Sequence, residues 1–283
     1  MKKITSEQIA EFKEHLILEE KSKATVDKYE RDVKAFAEWI SKMELNKAAV
    51  LSYKSYLCEK YAVSSVNSIL SSINSFLNYF ECFELRVKTL KTQRQIFAQN
   101  EKEISKAEYE RLLICARSTQ NERLYLLLQT ICSTGIRVSE LRFITVEAVS
   151  LFKAEINCKG KRRYVFLPTK LCKMLQKYAM DRKIKSGPIF ISKNGNPLDR
   201  SNIWCEMKKI CRRANIAESK VFPHNLRHLF ARTYYTMQKD IVRLADILGH
   251  SSVNTTRIYT MENGAIHQQQ IQNLGLVDGV QRN

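Results

Sequence analysis

Apolar residues recur at intervals of three and four through the first part of the chain: Val26, Tyr29, Val33, Phe36 and Ile40, then Val66, Ile69, Leu70, Ile73, Phe76, Leu77 and Phe80. That period places them on one helix face. The spacing predicts four helices, near 6–20, 23–42, 46–61 and 64–82, packed as a small bundle. No glycine precedes Gly135 and no proline precedes Pro168. The residues that punctuate turns and sheets are thus absent from this stretch, as expected of helices joined by short polar loops.

The fourth predicted helix carries no charge from Ala62 to Phe80, and opposite its apolar stripe stand Ser68, Ser71, Ser72, Asn74, Ser75 and Asn78. Such short polar side chains suit either a surface facing phosphates or a face packed on a neighbour. Both readings stay open from sequence. Residues 85–103, with Arg86, Lys88, Lys91 and Arg94 and little periodicity, read as a linker. Regular structure resumes at Ser105, which forms a capping box with Glu108. Leu124, Leu127, Leu128 and Ile131 mark a buried helix. Glu155–Cys158 and Tyr164–Leu167 read as two strands flanking the basic turn 159–163, and Ile189-Phe190-Ile191 as a third. The remainder is helical, ending in the apolar pattern Ile266, Ile271, Leu274 and Leu276. The expected fold is therefore mainly α with a small antiparallel β-sheet.

Charge changes the picture more than composition does. The 283 residues are 44% apolar and 27% charged, ordinary for a globular chain, yet the formal net charge is +18. Residues 1–100 hold 16 Lys and Arg against 13 Asp and Glu, leaving 31 against 16 for the rest. A surplus concentrated in the second part favours a polyanionic partner, nucleic acid first. The eight cysteines show no C-x-x-C and no ligand spacing with histidine, a pattern of free thiols in a reducing compartment. No membrane-length apolar run and no signal core occur, so a cytoplasmic protein without a membrane partner is expected. Met1 lies close to the first predicted helix, and no further amino-terminal domain is expected.

Candidate chemistry sits in separate segments of the second part. Attack on a phosphodiester needs a nucleophile, cations around the phosphoryl oxygens and a proton for the leaving alkoxide. Tyr259 supplies a phenol. Arg137 and Arg227 supply guanidinium groups that stay charged and fork onto two oxygens. Lys159, at the hairpin turn, is placed to act as general acid. His224 and His250 are candidates for proton movement and for donation to the phosphate. Taken singly, none of these is specific.

Their order is. The segments Thr134-Gly-Ile-Arg137-Val-Ser-Glu140-Leu, Cys158-Lys159-Gly160-Lys161, Pro223-His224-Asn-Leu-Arg227-His228, and Leu248-Gly249-His250-Ser-Ser through Tyr259 resemble the tyrosine recombinases of the phage integrase family. The layout is closest to compact Xer-type and transposon-borne members. Ser22 to Tyr29, with Asp32, Phe36 and Trp39, resembles the start of that family's core-binding domain. The resemblance implies an N-terminal helical, SAM-like core-binding domain over 1–84, a linker over 85–103 and a catalytic domain over 104–283, the two domains clamping the duplex from opposite faces. It implies Arg137 and Arg227 on the scissile phosphate, Lys159 protonating the 5′ oxygen and His224 in acid–base support. It further implies His250 donating to the phosphate, Tyr259 as nucleophile and Glu140 as a supporting residue. Cys158 departs from the glycine common in relatives; Lys161 is the nearest substitute for Lys159. No cofactor or metal is implied. The implied partner is double-stranded DNA carrying specific recombination sites. A homotetramer would act on two such sites, exchanging a segment near 264–277, with a second recombinase as a compatible hetero-partner. The competing expectations are a type IB topoisomerase and a DNA-binding regulator without cleavage, the latter disfavoured because the phenol and every cation are present.

Overall fold

The computed structural model describes residues 3–91, 103–158, 161–259 and 272–274. Lys159, residues 92–102 of the expected linker and, apart from residues 272–274, the segment 264–277 lie outside the described residues. The chain divides into two compact units, residues 1–94 and 95–283.

The first unit consists of helices α1 (Ser6–Leu18), α2 (Lys23–Trp39), α3 (Lys47–Lys60) and α4 (Val63–Tyr79), followed by a 3-10 turn at Phe83–Leu85. The first three begin at side-chain caps: Thr5, Ser22 and Asn46 accept from the backbone N–H groups of Gln8, Thr25 and Ala49. The predicted apolar stripes form the core, with Val33, Phe36, Val66, Leu70, Ile73, Phe76 and Leu77 fully buried. One carboxylate enters this core. Asp32 accepts from Lys28 Nζ at 2.6 Å and from Ser72 Oγ at 2.8 Å, which satisfies a group otherwise costly to bury.

Part of the polar face of α4 packs against the chain that follows the helix, while Ser68, Ser71 and Asn78 are exposed. Asn74 exchanges two hydrogen bonds with the Val87 backbone, Asn67 does the same with Leu90, and Asn78 accepts from Arg86. Leu85 and Val87 are buried with the bundle. Residues 85–91 thus lie along α4 as part of the first unit, although their charge and lack of period read as linker.

In the second unit come α5 (Lys106–Ser118) and α6 (Glu122–Thr134), a 3-10 turn at Val138–Phe143, α7 (Val146–Ser150), strands β1 (Lys153–Cys158) and β2 (Lys161–Phe166), and α8 (Thr169–Asp181). They are followed by α9 (Arg200–Cys211), α10 (Pro223–Gln238), α11 (Ile241–Leu248), α12 (Val253–Thr256) and a 3-10 turn at Arg257–Tyr259. The capping box at Ser105 and Glu108 is present, each side chain accepting from the other's backbone. β1 and β2 pair antiparallel from Lys153 opposite Phe166 to Cys158 opposite Lys161.

The expected third strand does not form among the described residues. Ile189 and Phe190 are buried as their sequence suggests, but their backbone bonds go to loops. Ile189 N donates to the Ile144 carbonyl, and Leu198 N to that of Phe190. Apolar β-rich composition specifies burial; a ladder also needs a partner strand. Among the described residues no helix is long and apolar enough to cross a membrane.

Candidate active site

Two left-handed helix ends shape the site. α6 stops at Gly135, with φ +64°, and α11 stops at Gly249, with φ +63°. Glycine adopts this conformation at little cost, and each glycine also lies where a β-carbon has no room. On Gly135 it would meet Phe230 at 2.4 Å, and on Gly249 it would meet Arg163 Cδ at the same distance. The first turn releases the chain into Arg137 and the Glu140 turn; the second presents His250.

Arg227, on α10, reaches both turns. It is only 2% exposed. It donates to the Gly135 carbonyl, to the Leu248 carbonyl at 2.7 Å, and through Nη2 to His250 Nε2 at 3.1 Å. Arg137 donates from Nη2 to the Gly249 carbonyl at 3.1 Å and from Nη1 to Glu140 Oε1 at 3.0 Å. Glu140, 3% exposed, also accepts from the Arg137 backbone and from Arg163 Nη2 at 2.6 Å. The cluster thus sets three guanidinium groups against the Glu140 carboxylate, which bonds two of them, Arg137 and Arg163. The surplus positive charge in a partly desolvated place is a site for an anion.

Tyr259 closes the cluster from the C-terminal side. Its ring, 4% exposed, packs with Ala231, Leu244 and Leu248 and meets the His228 ring edge-on at 4.7 Å. The His250 ring lies nearly parallel at 6.1 Å. Burial raises the phenol above its ordinary value, while the Arg227 charge, its hydrogen bond to the phenol and the Arg137 charge pull the other way. Burial also draws Arg227 down to about 10, with Arg137 adding to the effect, which leaves it charged near neutrality.

The same physics favours the neutral imidazole at His224, His228 and His250. Burial, then the Arg227, Arg137 and Arg163 charges, lower His250 to about 4. Because Arg227 donates to its Nε2, the neutral ring carries its proton on Nδ1, which donates to Thr256 Oγ1 at 2.8 Å. His250 therefore accepts at Nε2. Donation from Nε2 would require a proton there and loss of the Arg227 contact. Burial and the Arg227 charge lower His224, and burial, then the competition of His224 for a proton and the Arg227 charge, brings His228 to about 4. The two share a hydrogen bond of 3.0 Å between their Nε2 atoms.

The structure brings Arg137, Glu140, His224, Arg227, His250 and Tyr259 together within the second unit. Lys159 lies outside the described residues, and of the Lys161 side chain nothing is described. Sequence reasoning gave no role to Arg163, His228 or Thr256. A signal existed for Arg163: two residues before the apolar Val165, it falls on that residue's face of β2, opposite the face of exposed Tyr164 and Phe166. For His228, four residues after His224 on one helix, the signal was the helical spacing itself. Among the described residues no group of histidines, cysteines or carboxylates is arranged to hold a metal.

A helical catalytic unit with a phenol buried among guanidinium groups and neutral histidines is the arrangement of a DNA strand-transfer class of protein. Residues 102–265 match the model of the phage integrase family, and residues 9–81 match that of the phage integrase N-terminal SAM-like domain. The chain belongs to the phage integrase family, the tyrosine recombinases. It is 30% identical over 268 residues to the tyrosine recombinase XerA of Pyrococcus furiosus, covering 92% of this chain and 91% of that one. To XerA of Thermococcus kodakarensis it is 29% identical over 264 residues, covering 90% of each chain. In fold it is similar to XerH recombinase bound to its difH substrate, with TM-score 0.70 at 19% identity over 95% of this chain and 85% of that one. A lambda integrase dimer on a core site gives TM-score 0.74 at 14% identity, covering 92% and 96%.

Proposed function

We propose that the chain cleaves and rejoins double-stranded DNA at specific recombination sites through a 3′-phosphotyrosyl intermediate, exchanging strands through a Holliday junction without ATP or metal. Arg137 and Arg227 turn from backbone carbonyls to the non-bridging oxygens of the scissile phosphate, where developing charge makes each donor worth more than in water. The Tyr259 oxygen bonds to phosphorus and the bond to the 5′ oxygen breaks. The phenol proton passes to neutral His224, and the 5′ alkoxide takes a proton from Lys159. One ester replaces another, so a 5′ hydroxyl from a second duplex can reverse the step and restore the diester. His250 hydrogen-bonds the phosphate once Arg227 has left its Nε2. Glu140 orients Arg137. The active assembly is a homotetramer on two DNA sites.

The observation that supports this reading most is the burial of Tyr259 against Arg227 in the same cluster that holds Arg137 and His250. A duplex nicked beside the cleavage point tests it, since loss of the short strand prevents religation. The wild type accumulates a covalent protein–DNA adduct and Tyr259→Phe does not. Equal trapping by the two proteins would assign the nucleophile elsewhere.

A further inference from the structure

Arg163 enters the cluster from β2 and is, like Arg227, largely removed from solvent. It stands on β2 opposite Ile156, on the face shared with buried Val165, and its side chain is 15% exposed. A cation at such a position costs desolvation, and a well-packed apolar residue of similar volume is often no less stable there. Its contacts show what the charge does. Nη2 donates to Glu140 Oε2 at 2.6 Å, while Nη1 donates to the Ile247 carbonyl at 2.8 Å. The stem runs so close beneath Gly249 that a β-carbon there would stand 2.5 Å from Nε. One planar group thus spans two parts of the site: the carboxylate that holds Arg137, and the last turn of α11 whose next residues are Gly249 and His250.

We propose that Arg163 is a positioning residue of the strand-transfer reaction, fixing the Arg137 guanidinium and the His250 turn relative to each other before the phosphate arrives. The proposal rests on the function proposed above. Two observations favour a positioning task over simple support. Glu140 already has Arg137 as a cationic partner, so pairing alone does not require Arg163. The Gly249 carbonyl that Arg137 uses belongs to the residue whose missing side chain makes room for the Arg163 stem, so both arginines meet the same turn. A lysine cannot replace it in full, because a single ammonium lacks the planar fork that spans a carboxylate and a carbonyl.

The test is single-turnover cleavage by Arg163→Met in the full-length protein on three versions of the nicked substrate. On the ordinary diester the rate falls about 100-fold, as expected when reacting groups are misplaced by an ångström, with DNA affinity within about twofold of wild type. With a methyl group replacing one non-bridging oxygen, the linkage is neutral and asks less of the clamp, so the deficit shrinks about tenfold. With sulfur at the bridging 5′ position the deficit persists, because the leaving group's proton is not what Arg163 governs. Equal deficits on all three substrates, a wild-type rate, full rescue by the sulfur substrate, or a parallel loss of DNA affinity would each overturn the proposal. Should Arg163→Met not fold, Arg163→Lys decides: cleavage about tenfold slower is expected, and a wild-type rate refutes it. If Tyr259→Phe still cleaves, the functional reading fails instead, and that outcome is distinct.

Discussion

Gly249→Ala perturbs the site at its tightest point, and its effect is separable into two parts. The backbone there has φ +63°, so any β-carbon meets left-handed strain of about 1–2 kcal/mol. Gly195 has φ +79° with nothing within 4 Å of a built β-carbon, so Gly195→Ala carries the strain alone. At Gly249 the new carbon would lie 2.4 Å from Arg163 Cδ, and the arginine must move. Moving it breaks at least one charge-assisted bond, to the Ile247 carbonyl or to Glu140, each worth about 1.5–3 kcal/mol. Gly249→Ala should therefore destabilise the second unit by about 2 kcal/mol more than Gly195→Ala does. With a urea dependence of about 1–3 kcal/mol per molar, the midpoint drops by roughly a further 1 M. Trp39 lies in the first unit and Trp204 in the second, so fluorescence of Trp204 in a Trp39→Phe background follows the relevant transition. Coincident midpoints for the two alanine variants would show that Arg163 is not held where the argument requires.

Two further outcomes are expected. Lys159→Ala should cleave ordinary DNA poorly yet recover on a substrate with sulfur at the bridging 5′ position, since a thiolate leaves without a proton; unchanged cleavage, or no recovery, would move the acid to Lys161 or elsewhere. His228 and His250 are depressed from 6.5 to about 4 in the folded protein, so across that window the unfolded chain binds protons the folded one excludes. Stability is then full above the window and falls as pH decreases through it. Urea midpoints near pH 7 and 5 should show the fall, and His250→Gln should lessen it; an identical fall in the variant would contradict the assigned shift.

The helical bundle was legible because its period and its freedom from glycine and proline agree at every position. The third strand was misjudged at Ile189 and Phe190, where composition gives burial but not the partner, which proves to be the loop around Ile144. Asn74 shows the same limit: its residue type allowed either DNA or protein contacts, and only the placement of Val87 reveals which backbone it pairs. The site's members were legible as segments. Their convergence was not, because Arg137 meets the Gly249 carbonyl 112 residues away and no local spacing encodes that approach. Arg163 was hidden by its setting in a basic turn, where a charge ordinarily faces solvent. Its place on the same strand face as Val165 was the overriding signal.

The central claim is that the Tyr259 oxygen takes over the 3′ side of a DNA phosphodiester. Proteolysis of the trapped covalent complex, followed by mass mapping of the nucleotide-bearing peptide, tests it most directly. The account predicts a single adduct on Tyr259, joined to the 3′ phosphate and leaving a free 5′ hydroxyl on the released strand. An adduct on another residue, or a linkage to the 5′ phosphate, would contradict it.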